Sequence, residues 1–163
     1  MIKYDKEDTD MIDGIEIKKL IIHPDDRGMF TEVVKATDDF VIDHPFAQIS
    51  HTLTFPGVIK AFHWHNYQTD YWYCVVGNIR VGLVDLRSDS PTEGQTMSVY
   101  LGEWSRQALK IPPGVAHGYQ VLGNTPAQLI YYTTKPYDPQ APDEERIAWN
   151  DPSIDFDWTI KNR

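Results

Sequence analysis

The sequence holds one cysteine, Cys74, in 163 residues. A single thiol excludes an internal disulfide, leaves CxxC zinc patterns without material and fits a reducing compartment. Basic residues are scarce beside acidic ones, 15 Lys and Arg against 24 Asp and Glu, for a net charge of −9. Such a field repels polyanions, since nucleic-acid binding needs Lys- and Arg-rich faces that displace counterions. The expected partners therefore exclude nucleic acid, while a small phosphorylated ligand needs only a few well-placed cations. No apolar run approaches membrane-spanning length, and residues 1–10 carry nothing like the apolar core of a signal peptide. No membrane partner is expected, and the expected location is the cytoplasm. Also missing are apolar residues at three-four spacing over three helical turns; residues 37–43 and 144–149 are the segments that could each give a short helical turn.

What is present is globular composition, 41% hydrophobic and 24% charged. A chain of this length buries about two-thirds of its unfolded surface as one domain. Residues 1–163 read as that single domain, with residues 1–10 as a flexible, solvated acidic arm. Turn signals punctuate the middle: Phe55-Pro56-Gly57, Val76-Gly77-Asn78, Pro112-Pro113-Gly114 and Gly123-Asn124-Thr125-Pro126. Between them lie strand-length runs rich in β-branched and aromatic residues, such as Tyr71-Trp72-Tyr73-Cys74-Val75-Val76, Ile79 to Leu86, and Gln128-Leu129-Ile130-Tyr131-Tyr132-Thr133. Short strands at roughly ten-residue intervals point to an all-β fold, an antiparallel sandwich or barrel.

The chemistry gathers in the segment from Gly57 to Asp70. As a strand, residues 58–65 place His63 and His65 on one face with Ile59 and Ala61, and Lys60, Phe62 and Trp64 on the other. With Asp70 and the later His117 they supply three imidazoles and a carboxylate, the ligand set of many divalent-metal sites. The plain alternative is a hydrogen-bonded polar patch. Ile111-Pro112-Pro113-Gly114-Val115-Ala116-His117-Gly118 is a rigid turn that delivers His117 into a strand. Tyr131 reads, on pattern alone, as a strand aromatic with its hydroxyl at a rim.

Several of these stretches together resemble the dTDP-4-dehydrorhamnose 3,5-epimerase family of the cupin superfamily. They are Gly57 to His63, Gly77 with Val84-Asp85-Leu86-Arg87 and Ser90-Pro91, Ile111 to Gly118, Leu129-Ile130-Tyr131, Tyr137-Asp138-Pro139 and Trp149-Asn150-Asp151-Pro152. Asp25-Asp26-Arg27-Gly28-Met29-Phe30-Thr31-Glu32 resembles that family's N-terminal signature. The resemblance implies a cupin jelly-roll, a homodimer, a nucleotide-linked 4-keto-6-deoxy sugar as partner, and epimerisation at C3, C5 or both for a surface polysaccharide. It places His63 at the family's base and Tyr131 at its proton donor, needing no cofactor. Arg27, Gln48 and Lys60 fall at the diphosphate, Glu32 at the nucleobase end, and His65, Asp70, His117 and Tyr137 among the substrate-binding residues.

Four departures accompany it, the first being Lys60 in place of the family's usual arginine, which weakens bidentate phosphate recognition. The family reads H-Y-Q at His63-Trp64-His65, carries an enolate-stabilising lysine where Asp70 stands, and draws the aspartate that orients its base from a segment beyond Arg163. The wider cupin motif for metal matches the spacing of Gly57, His63, His65, Asp70 and Gly77, with Asp for Glu. Two other readings follow. One is a metal-dependent isomerase with a divalent ion at His63, His65, Asp70 and His117; the other is a sugar-nucleotide binding module without activity.

Overall fold

Strands form where β-branched and aromatic residues alternate and stop where Gly and Pro redirect the backbone. A computed structural model describes residues 11–41 and 46–161, so the expected acidic arm, residues 1–10, lies outside the described residues. Among the described residues twelve strands follow in order: β1 (Glu16–Lys19), β2 (His23–Asp25), β3 (Gly28–Phe30), β4 (Gln48–Thr54), β5 (Ile59–Trp64), β6 (Asp70–Val76), β7 (Asn78–Asp85), β8 (Thr96–Gly102), β9 (Gln107–Ile111), β10 (Val115–Leu122), β11 (Ala127–Thr133) and β12 (Glu145–Arg146). The first five-stranded sheet runs β1-β9-β6-β11-β4 and the second β12-β5-β10-β7-β8, while β2 and β3 form a separate hairpin. Every pairing is antiparallel, as the all-β jelly-roll reading requires. No helix among the described residues is long and apolar enough to cross a membrane.

The period of two fixes the core. Trp72, Cys74, Leu109, Ile111 and Leu129 from the first sheet meet Ile79, Val81, Leu83, Val115 and Val121 from the second in one cluster. The opposite face of β7 is covered as well: Ile154 and Trp158 from the C-terminal segment pack with Phe62, Val84 and Ala116, beside the partly buried Phe156. Burying each such apolar side chain contributes about 1.5–3 kcal/mol. Gly82 makes this close approach workable, because a Cβ there would sit 2.7 Å from the Phe156 ring. Arg80 turns into the same cover, donating to the Asp157 carbonyl at 3.0 Å and lying over the Phe156 and Trp158 rings.

Neither expected helical turn is a helix. Residues 35–41 form turns, with the Asp38 and Val41 amides donating to Lys35 and Asp38 carbonyls at 3.0 Å each; residues 42 and 43 lie outside the described residues. Residues 144–149 are extended, because Ile147 exchanges backbone hydrogen bonds of 2.9 and 3.1 Å with Phe62. A backbone already paired to a sheet edge has no groups left for a helical turn.

Candidate active site

Toward one end of the sandwich the inward-facing residues change from apolar to polar. On β4 the inward set is Gln48, Ser50 and Thr52; on β6 it begins with Asp70; on β11 it ends with Tyr131 and Thr133. Polar side chains facing each other between two sheets cannot close as a dry core, and a cavity of about 650 Å³ opens there.

The second sheet supplies the histidines through an irregularity. On β10, His117 pairs with His63 and Tyr119 with Lys60, so Gly118 alone faces both Ala61 and Phe62. This β-bulge breaks the simple alternation. Phe62 and Trp64 point outward as expected, but Ile59 and Ala61 join them in the outer cluster and Lys60 turns to the cavity side with His63. The expectation that Lys60 faces away from the histidines is thus overturned, since the extra residue resets which side chains share a face.

The sequence-predicted cluster assembles here. The His63 and His117 rings meet edge to face with centroids 4.2 Å apart, and His65 lies 5.4 Å from His63. One ligand atom from each of His63, His65, Asp70 and His117 lies within 4.8 Å of the others. Asp70 is buried, accepting hydrogen bonds from the Gln68 amide at 2.7 Å and the Trp72 indole at 3.1 Å. Burial alone would raise its carboxyl, but His117, His65 and Trp72 outweigh it and bring it down to about 2. Asp70 is therefore a carboxylate whose charge is taken up by its immediate neighbours. His65 Nδ1 donates to the Asp143 carbonyl, and its Nε2 accepts from Gln68 at 3.1 Å. His117 Nδ1 donates to the Val115 carbonyl at 2.9 Å.

His63 differs from both. Burial, and then the neighbouring imidazole of His117, push it down to about 2 against the pull of Asp70. Its cation is thus disfavoured, and the ring stands neutral. Tyr131 stands on the first sheet, opposite the sheet that carries His63, paired across to Ser50 and Trp72. Burial raises its phenol, which therefore keeps its proton. His63 and Tyr131 thus face one cavity from two sheets.

At the mouth, Gln48 Oε1 accepts from the Tyr137 amide at 2.9 Å and so holds that loop beside the cavity. Lys60 donates to Thr52 Oγ1 at 3.1 Å. Arg27 and Glu32 are not brought here: Arg27 sits at the exposed tip of the β2–β3 hairpin against Asp25, and Glu32 pairs with Lys35 at 3.1 Å. The sequence reading passed over Trp72, Tyr119, Gln68, Glu144 and Arg146, all of which line the cavity. Trp72 and Tyr119 were open to view as the residues two beyond Asp70 and His117. Arg146 was not, because only the pairing of β12 with β5 sets it opposite His63. Asp143 is a further omission: its carboxylate accepts the Asn66, Tyr67 and Gln68 amides at 2.8–3.0 Å and so shapes the turn that presents His65.

Comparison with known proteins identifies the family and the fold. Residues 9–163 match the profile of the family described as dTDP-4-dehydrorhamnose 3,5-epimerase. The spore coat polysaccharide biosynthesis protein SpsL of Bacillus subtilis is 50% identical over 153 residues, covering 94% of this chain and 100% of that protein. The dTDP-4-dehydrorhamnose 3,5-epimerase of Pseudomonas aeruginosa is 35% identical, over 85% of this chain and 77% of that one. The crystal structure of the Legionella pneumophila dTDP-6-deoxy-D-glucose-3,5-epimerase RmlC, in complex with dTDP-4-keto-L-rhamnose, superposes with a TM-score of 0.82 at 30% identity, covering 93% of this chain and 82% of that one. With the jelly-roll and a profile match over residues 9–163 in agreement, the chain belongs to the dTDP-4-dehydrorhamnose 3,5-epimerase family.

Proposed function

We propose that the protein epimerises a dTDP-linked 4-keto-6-deoxy sugar at C3, C5 or both, in the making of a surface polysaccharide. The observation that carries this reading is that His63 on one sheet and Tyr131 on the other line opposite walls of a single cavity. A C4 ketone acidifies the hydrogens at C3 and C5. His63 removes one as a proton, the C–H electron pair moves into the carbonyl as an enolate, and Tyr131 returns a proton to the opposite face of the same carbon. His63 then releases its proton to solvent and Tyr131 regains one, so the step balances without a redox partner.

The enolate needs nearby positive charge. Lys60 and Arg146 are the lysine and arginine that line the cavity among the described residues, and they supply it together with recognition of the diphosphate. Gln48 and Tyr137 order the mouth. Arg27 and Glu32 stand outside the cavity of their own chain, so a second copy in a homodimer brings them to the nucleotide; light scattering reads this as a mass of two chains, and a single-chain mass would remove it.

The test of the reaction is incubation with a dTDP-4-keto-6-deoxy sugar in deuterated water, followed by mass analysis of the recovered sugar nucleotide. A gain of mass supports the reading. Binding without any gain would replace the enzyme by a binding module.

A further inference from the structure

Two side chains of the first sheet fix the direction in which the Tyr131 hydroxyl donates. Gln48, Ser50 and Tyr131 share the inward face of that sheet, and Ser50 stands directly across from Tyr131 in the β4–β11 register. The Gln48 amide is oriented from the mouth of the cavity. Its Oε1 accepts from the Tyr137 amide at 2.9 Å, which leaves Nε2 as the end turned to Ser50, donating to Oγ at 2.9 Å.

An amide nitrogen only donates, so Ser50 Oγ is the acceptor in that bond and its one hydrogen is left for another partner. The Tyr131 phenol is that partner. Burial raises the phenol, a side-chain hydrogen bond with Ser50 lowers it, and Asp70, Tyr119 and Glu144 raise it again. Lowering is the effect of a donor to the phenol oxygen, since such a bond is stronger when that oxygen is charged. The chain therefore runs one way throughout, from the Tyr137 amide to Gln48, from Gln48 to Ser50 and from Ser50 to the Tyr131 oxygen. An oxygen that accepts from Ser50 keeps its own hydrogen free, and Tyr131 lines the cavity.

We propose that Ser50 is the positioning residue of the proton donor: its hydroxyl donates to Tyr131 Oη, turns the Tyr131 hydrogen into the cavity and holds the phenolate that remains after transfer. The inference rests on the proposed function. In the transfer the Tyr131 O–H bond breaks with its electron pair staying on oxygen, the enolate takes the proton into a new C–H bond, and the C4 carbonyl re-forms. Ser50 keeps its own proton, and its hydrogen bond strengthens as charge appears on the phenol oxygen, which lowers the barrier to that step. Solvent then returns a proton to Tyr131. Gln48 acts one step further back, by leaving Ser50 a single direction in which to donate. His63 lies outside this chain, so Ser50 bears on the return of the proton and not on its removal.

The test compares full-length wild type, Ser50→Ala and Ser50→Thr with a dTDP-4-keto-6-deoxy sugar in deuterated water, following deuterium wash-in and inverted product separately across pH. In Ser50→Ala the wash-in driven by His63 is expected within about twofold of wild type, while inversion falls about ten- to a hundredfold, the span for a hydrogen bond to a charged group. The alkaline limb of its inversion profile moves to higher pH, because the phenol loses the bond that lowered it. Ser50→Thr keeps the hydroxyl and restores both inversion and the limb. A second measurement needs no turnover: with ¹³C at the tyrosine Cζ, the Tyr131 signal, recognised by its loss in Tyr131→Phe, titrates higher in Ser50→Ala than in wild type. That signal decides the matter even if Ser50→Thr fails to fold. Unchanged inversion in Ser50→Ala, equal loss of wash-in and inversion, or a Tyr131 signal that titrates alike in both proteins overturns the assignment. Wild type that neither exchanges nor inverts, while its Tyr131 signal still depends on Ser50, removes the proposed reaction and leaves the hydrogen bond standing.

Discussion

Gly118 lies directly against Ala61: a Cβ built on Gly118 would fall 2.2 Å from the Ala61 Cβ and 2.5 Å from its Cα. That contact closes the bulge that turns Lys60 and His63 to the same side of β5. Gly118→Ala has backbone in its way rather than the end of a flexible side chain, so β5 must shift. The expected loss is about 2–3 kcal/mol of stability in urea unfolding, together with a fall in deuterium exchange larger than the fraction unfolded explains. A variant as stable and as active as the parent would show that the bulge does not set the site.

His63→Asn keeps a polar side chain of similar reach but removes the proton acceptor. Turnover and exchange should both fall by at least about a hundredfold, the usual effect of a general base. Near-UV circular dichroism should stay unchanged, which separates lost chemistry from lost fold.

Tyr131→Phe removes the phenol from the opposite wall and leaves the ring. His63 still takes and returns a proton on its own face, so deuterium washes in while inverted product falls. Equal losses of exchange and inversion would show that Tyr131 supports the site rather than reprotonating the far face, and unchanged inversion would make it an ordinary strand aromatic.

Asp85 gives the pH prediction. Burial alone would raise its carboxyl, but hydrogen bonds from Arg87, Ser90 at 2.5 Å and Thr92 at 2.6 Å hold it well below the usual carboxylate range. A group depressed in the folded state stabilises the protein fully above its unfolded pKa and loses that contribution as pH falls through the folded value. Asp85→Asn should therefore be less stable by about 2–4 kcal/mol at pH 7, and the gap between variant and parent should narrow as the pH drops below about 4. A gap that holds constant down to acid pH would assign the effect to packing.

Much of this molecule is written in its period of two. The strands β5, β6, β7 and β11 fall where alternating β-branched and aromatic runs lie between Gly and Pro turns. The spacing of His63, His65 and Asp70, with His117 after a proline turn, also brought those four residues to one floor. The same alternation misplaced Lys60, because a bulge is settled by what the neighbouring strand presents, here Gly118, and not by the residues of β5 themselves. Arg146 was hidden for a related reason: a two-residue strand has no period, and only the edge of β5 fixes it. Asp85, Arg87 and Ser90 stood in the recognisable pattern, yet they form a half-buried hydrogen-bond network and do not line the cavity.

The central claim is that this cavity takes a proton from carbon beside a ketone. It is tested most directly by proton magnetic resonance of a dTDP-4-keto-6-deoxy sugar in deuterated water, with chelator-treated wild-type protein and His63→Asn side by side. The account predicts that the C3 or C5 signal, or both, disappears with the wild type and persists with the variant over the same interval. Signals that persist with both proteins while the sugar nucleotide is bound, or that disappear equally fast with both, would contradict it.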